Sequence, residues 1–113
     1  MDDSPRLKTS LWVQAQLRLC DQAVIPLVVT RRGDPDAGAI LIKLDRGAQG
    51  VIVLARGYDG QGRRSWIRAT GEQPIAEAEA DAYLARQIGF DSDVWILTIE
   101  DATGRYQPDG QSV

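Results

Sequence analysis

The chain has 113 residues and a formal net charge of −3, with 43% apolar and 26% charged residues. That is the size and balance of one ordinary globular domain, able to bury a core without staples. It holds one cysteine, Cys20, and no histidine, which excludes an intramolecular disulfide, Ser–His and Cys–His catalysis, and histidine-ligated zinc.

Charge is segregated along the chain. Up to Gly71 there are eleven Lys/Arg against seven Asp/Glu; from Glu72 onward there are two against nine. The simplest account is a basic sheet paired with an acidic helix.

Residues 1–8 are polar and read as a flexible N-terminus. Thr9 or Ser10 can cap a helix, and Trp12, Val13, Leu17, Cys20 and Val24 then fall on one face at spacings of three and four. Pro26 ends it. Leu27 to Arg32 is rich in β-branched residues and reads as a strand. The turn Gly33-Asp34-Pro35-Asp36-Ala37-Gly38 follows, then a second strand from Ala39 to Asp45. Val51 to Arg56 is apolar on both faces, the mark of a central strand. Asp59-Gly60 suits a tight hairpin into a fourth strand, Arg64 to Thr70. Short loops make strands two to four an antiparallel meander.

Gly71-Glu72-Gln73-Pro74 opens a second helix near Pro74 or Ile75. Its stripe is Ala76, Ala80, Tyr83, Leu84 and Ile88, with Gly89 as a left-handed stop and Phe90 folding back on it. Val94 to Glu100 is the last strand, and residues 107–113 read as a flexible C-terminal tail. The fold class is therefore α+β, in the order α-β-β-β-β-α-β. We expect an antiparallel sheet of about five strands with both helices on one face, in a single domain over residues 9–106.

The stretches Thr9-Ser10-Leu11-Trp12-Val13-Gln14-Ala15, Arg31-Arg32-Gly33-Asp34-Pro35-Asp36-Ala37-Gly38 and Glu77-Ala78-Glu79-Ala80-Asp81-Ala82-Tyr83 belong together. With Asp93-Val94-Trp95 and Ile99-Glu100-Asp101, they resemble a small bacterial family of uncharacterised proteins, the domain of unknown function DUF1491. The resemblance covers roughly Leu7 to Arg105. It implies a small stand-alone bacterial protein and carries no activity, ligand or catalytic residue.

Three features bear on function. Asp34 and Asp36 sit two apart between glycines, a pattern that can ligate Mg²⁺ or Ca²⁺ or equally cap a proline turn. The fifth and twelfth positions of that loop, Gly38 and Asp45, do not fit a helix–loop–helix calcium site. Arg64, Trp66 and Arg68 alternate along one strand face, with Arg31 and Arg32 at another strand end. Such a face suits a protein partner or single-stranded nucleic acid, and equally a core-capping tryptophan. The negative net charge weighs against nucleic acid. Cys20, on the apolar helix face, reads as a small buried hydrophobe.

Met1 to Arg6 carries acids where a secretory leader needs a basic start, and no apolar run is long enough to span a membrane. The expectation is a cytoplasmic, non-catalytic binding or protein-interaction module without a cofactor. Its partner is an unknown protein or a second copy of the chain. The alternatives are a divalent-metal protein using Asp34 and Asp36, and a nucleic-acid binder using Arg64, Trp66 and Arg68.

Overall fold

A computed structural model describes residues 7–113. Residues 1–6, most of the segment read as a flexible N-terminus, lie outside it. The first helix, α1, spans Thr9–Gln22 and buries Thr9, Val13, Gln16 and Cys20, spacings of three and four that make one stripe. Gln16 is the polar member; its Oε1 accepts the Tyr106 hydroxyl at 2.7 Å, so its burial leaves that acceptor satisfied. Leu17 and Val24, expected in the stripe, are exposed instead.

Neither Thr9 nor Ser10 caps α1 in the expected way. Lys8 is the N-cap and makes no side-chain capping bond. The orphan N–H groups of Thr9 and Ser10 donate to the carbonyls of Asp36 and Pro35, at 3.2 and 2.9 Å. The Thr9 hydroxyl donates to the Gly38 carbonyl at 2.8 Å. A distant turn thus does the work usually left to a local side chain.

The strands are β1 (Leu27–Arg31), β2 (Ile40–Asp45), β3 (Val51–Tyr58), β4 (Arg64–Arg68) and β5 (Trp95–Glu100), with helix α2 (Glu77–Phe90) before β5. The expected chain order holds. In the sheet the order is β1-β5-β2-β3-β4. β2, β3 and β4 form the antiparallel meander, and β1 pairs antiparallel with β5. β5 runs parallel to β2, from Ile40 opposite Trp95 to Asp45 opposite Glu100. The expectation of a purely antiparallel sheet is therefore corrected to a mixed one. A connection containing a helix can return a strand in either direction, and a parallel pair needs a long crossover of that kind, where a short hairpin gives only antiparallel pairing.

The helices are not on one face. α1 covers Ile42, Leu44, Ile52, Leu54, Leu97 and Ile99, whereas α2 covers Leu41, Val51, Val53 and Ile96. Successive strand residues point to opposite faces. With both sets apolar, one-sided cover would leave the second set in water, at about 1.5–3 kcal/mol per side chain.

Two helix ends also differ from expectation. α2 begins at Glu77, because Ile75 is held extended by a two-way bridge to Val51, at 2.8 and 2.9 Å. Gly89 lies within the helix and Phe90 is 83% exposed; Asp91 then leaves helical geometry and its carboxylate accepts the Asp93 N–H. Residues 107–113, read as a tail, make side-chain contacts with α1, β3 and β4.

At the other end of α1, Val24 has φ +56° and is 82% exposed. A β-branched residue in left-handed backbone is strained, where glycine would not be. The Arg105 guanidinium donates to the carbonyls of Ala23 and Val24, at 3.1 and 3.5 Å, which partly offsets the strain. Val24→Gly removes little buried surface. Relief of about 1–2 kcal/mol of strain, less the added freedom of the unfolded chain, should stabilise the protein by roughly 0.5–1 kcal/mol. Thermal unfolding should rise by ~2–4 °C; an unchanged or lower midpoint would show the strain to be absent.

Candidate functional site

α2 is one helix over a five-stranded sheet, and it stops short. It lies over β2, β3 and Ile96 of β5, and leaves the same face at Thr98 and along β1 less covered. Between the helix and these strands runs a groove of about 310 Å³. Its floor is Ile96, Thr98 and Thr30, and its helical wall is Leu84 and Ile88. Beyond the floor Val28, on β1, is 59% exposed. The Thr30 hydroxyl donates to the Ile96 carbonyl at 3.0 Å and lies 3.3 Å from the Thr98 hydroxyl.

Lys43 closes one side. It is the charged residue in an otherwise apolar run of β2, and its ammonium meets Asp81 at 2.8 Å and Glu77 at 3.3 Å. Those acids are four apart on α2 and so share a face. Burial alone would lower the Lys43 pKa; hydrogen bonds to Asp81 and Glu77, with their charges, outweigh it and hold the ammonium above its ordinary value. Arg31 closes the other side. Its guanidinium donates to the carbonyls of Ser92 and Val94, at 3.0 and 2.8 Å.

The five basic and aromatic residues expected to bind a partner do not form one surface. Arg31 and Arg32 belong to the β1 edge, while Arg64, Trp66 and Arg68 lie on β4, the opposite edge. Arg32 sits over the Trp95 ring at 5.4 Å. Arg64 is exposed, and Arg68 donates to the Glu72 carbonyl. Trp66 is only 4% exposed; its ring packs against Trp12, with centroids 5.4 Å apart, and under the Arg56 guanidinium at 4.8 Å. The face read as an open cation–aromatic–cation platform is the core side of an edge strand. Alternation locates a face without saying which layer covers it.

Asp34 and Asp36 are also engaged. The Asp34 carboxylate accepts the Ala37 N–H at 2.8 Å, and Asp36 pairs with Lys8 at 3.8 Å. Among the described residues no three of His, Cys, Asp and Glu gather as a metal site. The loop is also a packing hub. The Asp34 carbonyl accepts the Trp95 indole N–H at 2.7 Å, and the next two carbonyls cap α1. A Cβ on Gly33 would lie 2.1 Å from the Asp93 carbonyl oxygen and 2.6 Å from the Trp95 ring.

Cys20 is buried, and burial first, then the Asp101 charge, pushes its thiol up. Burial, then the charges of Cys20 and Asp109, holds the Tyr106 hydroxyl well above the usual phenol range. Neither ionises at neutral pH, so neither is an activated nucleophile or base. The groove can hold and orient a ligand; the charged groups that line it are Arg31 and the paired Lys43 and Asp81.

Fold and site together define a small mixed α+β domain with one half-covered sheet face. The chain matches the family described as "Protein of unknown function (DUF1491)" over residues 7–107, and it belongs to that family. The crystal structure of a DUF1491 family protein from Caulobacter crescentus CB15 is 34% identical, covering 88% of this chain and 92% of that one, with a TM-score of 0.76. An NMR structure of a DUF1491 family protein from the same organism is 33% identical, covering 90% and 92%, with a TM-score of 0.74. A solution structure from A. tumefaciens shares the fold at 24% identity and a TM-score of 0.70, covering 86% and 87%. No curated protein matches the chain.

Lys43, Thr30 and Thr98 were not singled out from sequence, although the lone lysine of β2 and the Glu77/Asp81 spacing were both visible there. Two predictions follow from the local geometry. Gly33→Ala should lower stability to urea by at least about 2 kcal/mol, as an overpacked backbone contact, and shift the Trp95 indole N–H signal. Lys43 gains pairing in the fold, so its contribution is full below its unfolded value near 10.5 and is lost as pH rises through its higher folded value. Lys43→Met should therefore flatten the fall in urea stability above that pH, relative to the parent; equal slopes would show the pairing contributes nothing.

Proposed function

We propose that the chain is a non-catalytic interaction module that takes an extended peptide segment along β1, with the adjoining groove receiving alternate side chains. The carrying observation is the unequal treatment of the two sheet edges. On β4 the Trp66 N–H and carbonyl are both bonded by the Gln111 side-chain amide, at 2.8 Å each. On β1 no strand pairs with the outer side among the described residues, and the groove opens beside it. An unprotected edge is a template for another chain, and edge addition supplies affinity through the backbone and specificity through pockets for alternate side chains.

Of the residues expected to bind a partner, Arg31 remains in this proposal, as the anchored end of the groove. The covered Trp66 ring weighs against nucleic-acid stacking, and the lack of a third acidic ligand beside Asp34 and Asp36 among the described residues weighs against a metal. No helix among the described residues is long and apolar enough to cross a membrane. A cytoplasmic setting is part of the proposal and rests on the single, buried Cys20.

A displayed library of random peptides selected against the full chain tests the reading. Enriched peptides should alternate apolar residues, shift the amide signals of β1 and β5, and lose binding to Val28→Lys, whose thermal midpoint should stay within about 2 °C of the parent because the site is exposed. Selection that yields no binder, or binders indifferent to Val28→Lys, would overturn it.

A further inference from the structure

The opposite edge holds a second, occupied site. Asp109 lies where three donors from three elements converge. Its Oδ1 accepts the Trp12 indole N–H at 2.9 Å, and its Oδ2 accepts the Trp66 indole N–H at 3.0 Å. Arg56 Nη2 stands 3.0 Å from Oδ2. Two indole N–H donors can only donate, and a guanidinium can only donate, so this socket is chemically matched to a carboxylate. Charge assistance makes its bonds strong.

Two residues on, Gln111 binds the Trp66 N–H and carbonyl as a neighbouring strand would, and its Oε1 also accepts the Ser65 hydroxyl at 3.1 Å. The backbone N–H groups of Gly110 and Gln111 donate only within their own turn, to Gln107 and Pro108. Residues 109–111 therefore hold the β4 edge by side chains alone. Asp109 does so at φ +53°, in left-handed backbone, and its side chain is 38% exposed.

We infer that the β4 edge with the Trp12/Trp66/Arg56 socket is a recognition site for an acidic peptide turn, and that residues 109–111 are its resident occupant in cis. The ligand carries a carboxylate for the socket and, two residues later, an amide or backbone pair for the Trp66 edge. Release of the cis segment must also free Pro108, which is buried, and the 3.2 Å bond from Arg46 to the Val113 carbonyl. A tethered occupant competes at an effective concentration near millimolar, so the parent chain binds such a peptide weakly.

The test uses the full chain with Asp109→Ala and Gln111→Ala together, which weakens the occupant and leaves the site intact. The probe is a fluorescent peptide of the sequence 106–113. By anisotropy the doubly substituted chain should bind it ~tenfold more tightly than the parent does, since the tethered competitor is weakened. The Trp12 and Trp66 indole signals should move while that of Trp95 stays. A second peptide, unrelated except for Asp and Gln at the same spacing, should also bind, and the same peptide with Asn for Asp should not. The inference is overturned if the substituted chain binds neither peptide. It is equally overturned if only the native 106–113 sequence binds, or if the substituted chain loses its folded spectrum; the segment is then a piece of the fold and not the occupant of a site.

Discussion

Three strands that are apolar on both faces decide the architecture. In β2, β3 and β5, Ile42, Leu44, Ile52, Leu54, Leu97 and Ile99 point one way, and Leu41, Val51, Val53 and Ile96 point the other. No single layer can dehydrate both sets. The chain has two helices, and each must therefore take one face. That requirement places α2, on its way from β4 to β5, on the face opposite α1. The same requirement explains what is left uncovered. Two fourteen-residue helices cannot fully roof both sides of five strands, and the shortfall appears over β1 and β5 on the α2 side.

The α1 layer is completed by parts that lie far apart in sequence. The 33–38 loop caps the start of α1 with its carbonyls and holds the Trp95 indole. Arg105 caps its end. The Asp101 carboxylate, almost fully buried, accepts the N–H groups of Arg105 and Tyr106 at 2.9 and 2.7 Å, which aims Tyr106 at Gln16. The Asp101 oxygens, the Gln16 acceptor and the Trp95 indole all have partners, as costly desolvation requires; Arg46 Nε, beside Asp101, is buried without one. This network is why Gly33-Asp34-Pro35-Asp36-Ala37-Gly38 is distinctive: the glycines admit the β5 backbone and Trp95, and the carbonyls meet a helix. The aspartates look like chemistry in sequence, yet their loop serves packing.

Local structure was legible from the residues; spatial arrangement was less so. The two helices, the five strands and the meander all follow from periodicity and turn chemistry. The apolar alternation of Val51-Ile52-Val53-Leu54 already demanded cover on both faces, so the one-sided arrangement contradicted a signal that was present. The parallel pairing of β5 was not readable, because it depends on where a helical connection delivers its strand. Site residues fared worse for a related reason. Arg64, Trp66 and Arg68 do share a strand face, but Trp12 and Arg56, which pack on the Trp66 ring, come from other elements. Lys43 was readable in principle, since one cation in an apolar strand needs an acid opposite, and Glu77 with Asp81 supply a matching pair.

The two edges of the sheet show how exposure is managed. An edge strand presents unpaired backbone groups, and both edges here face that problem. At β4 the chain meets it with its own later residues, placing an amide on Trp66 and a carboxylate between two indoles. At β1 nothing comparable is described, although the strand is short and bulged after Val29, which itself discourages indefinite pairing. A five-residue edge interrupted by a bulge is ill-suited to aggregation. Tyr106 and Cys20 are held protonated by burial, and no histidine exists to take a proton. What lines the groove is the Thr30 and Thr98 hydroxyls, apolar side chains and two anchored cations, Arg31 and Lys43.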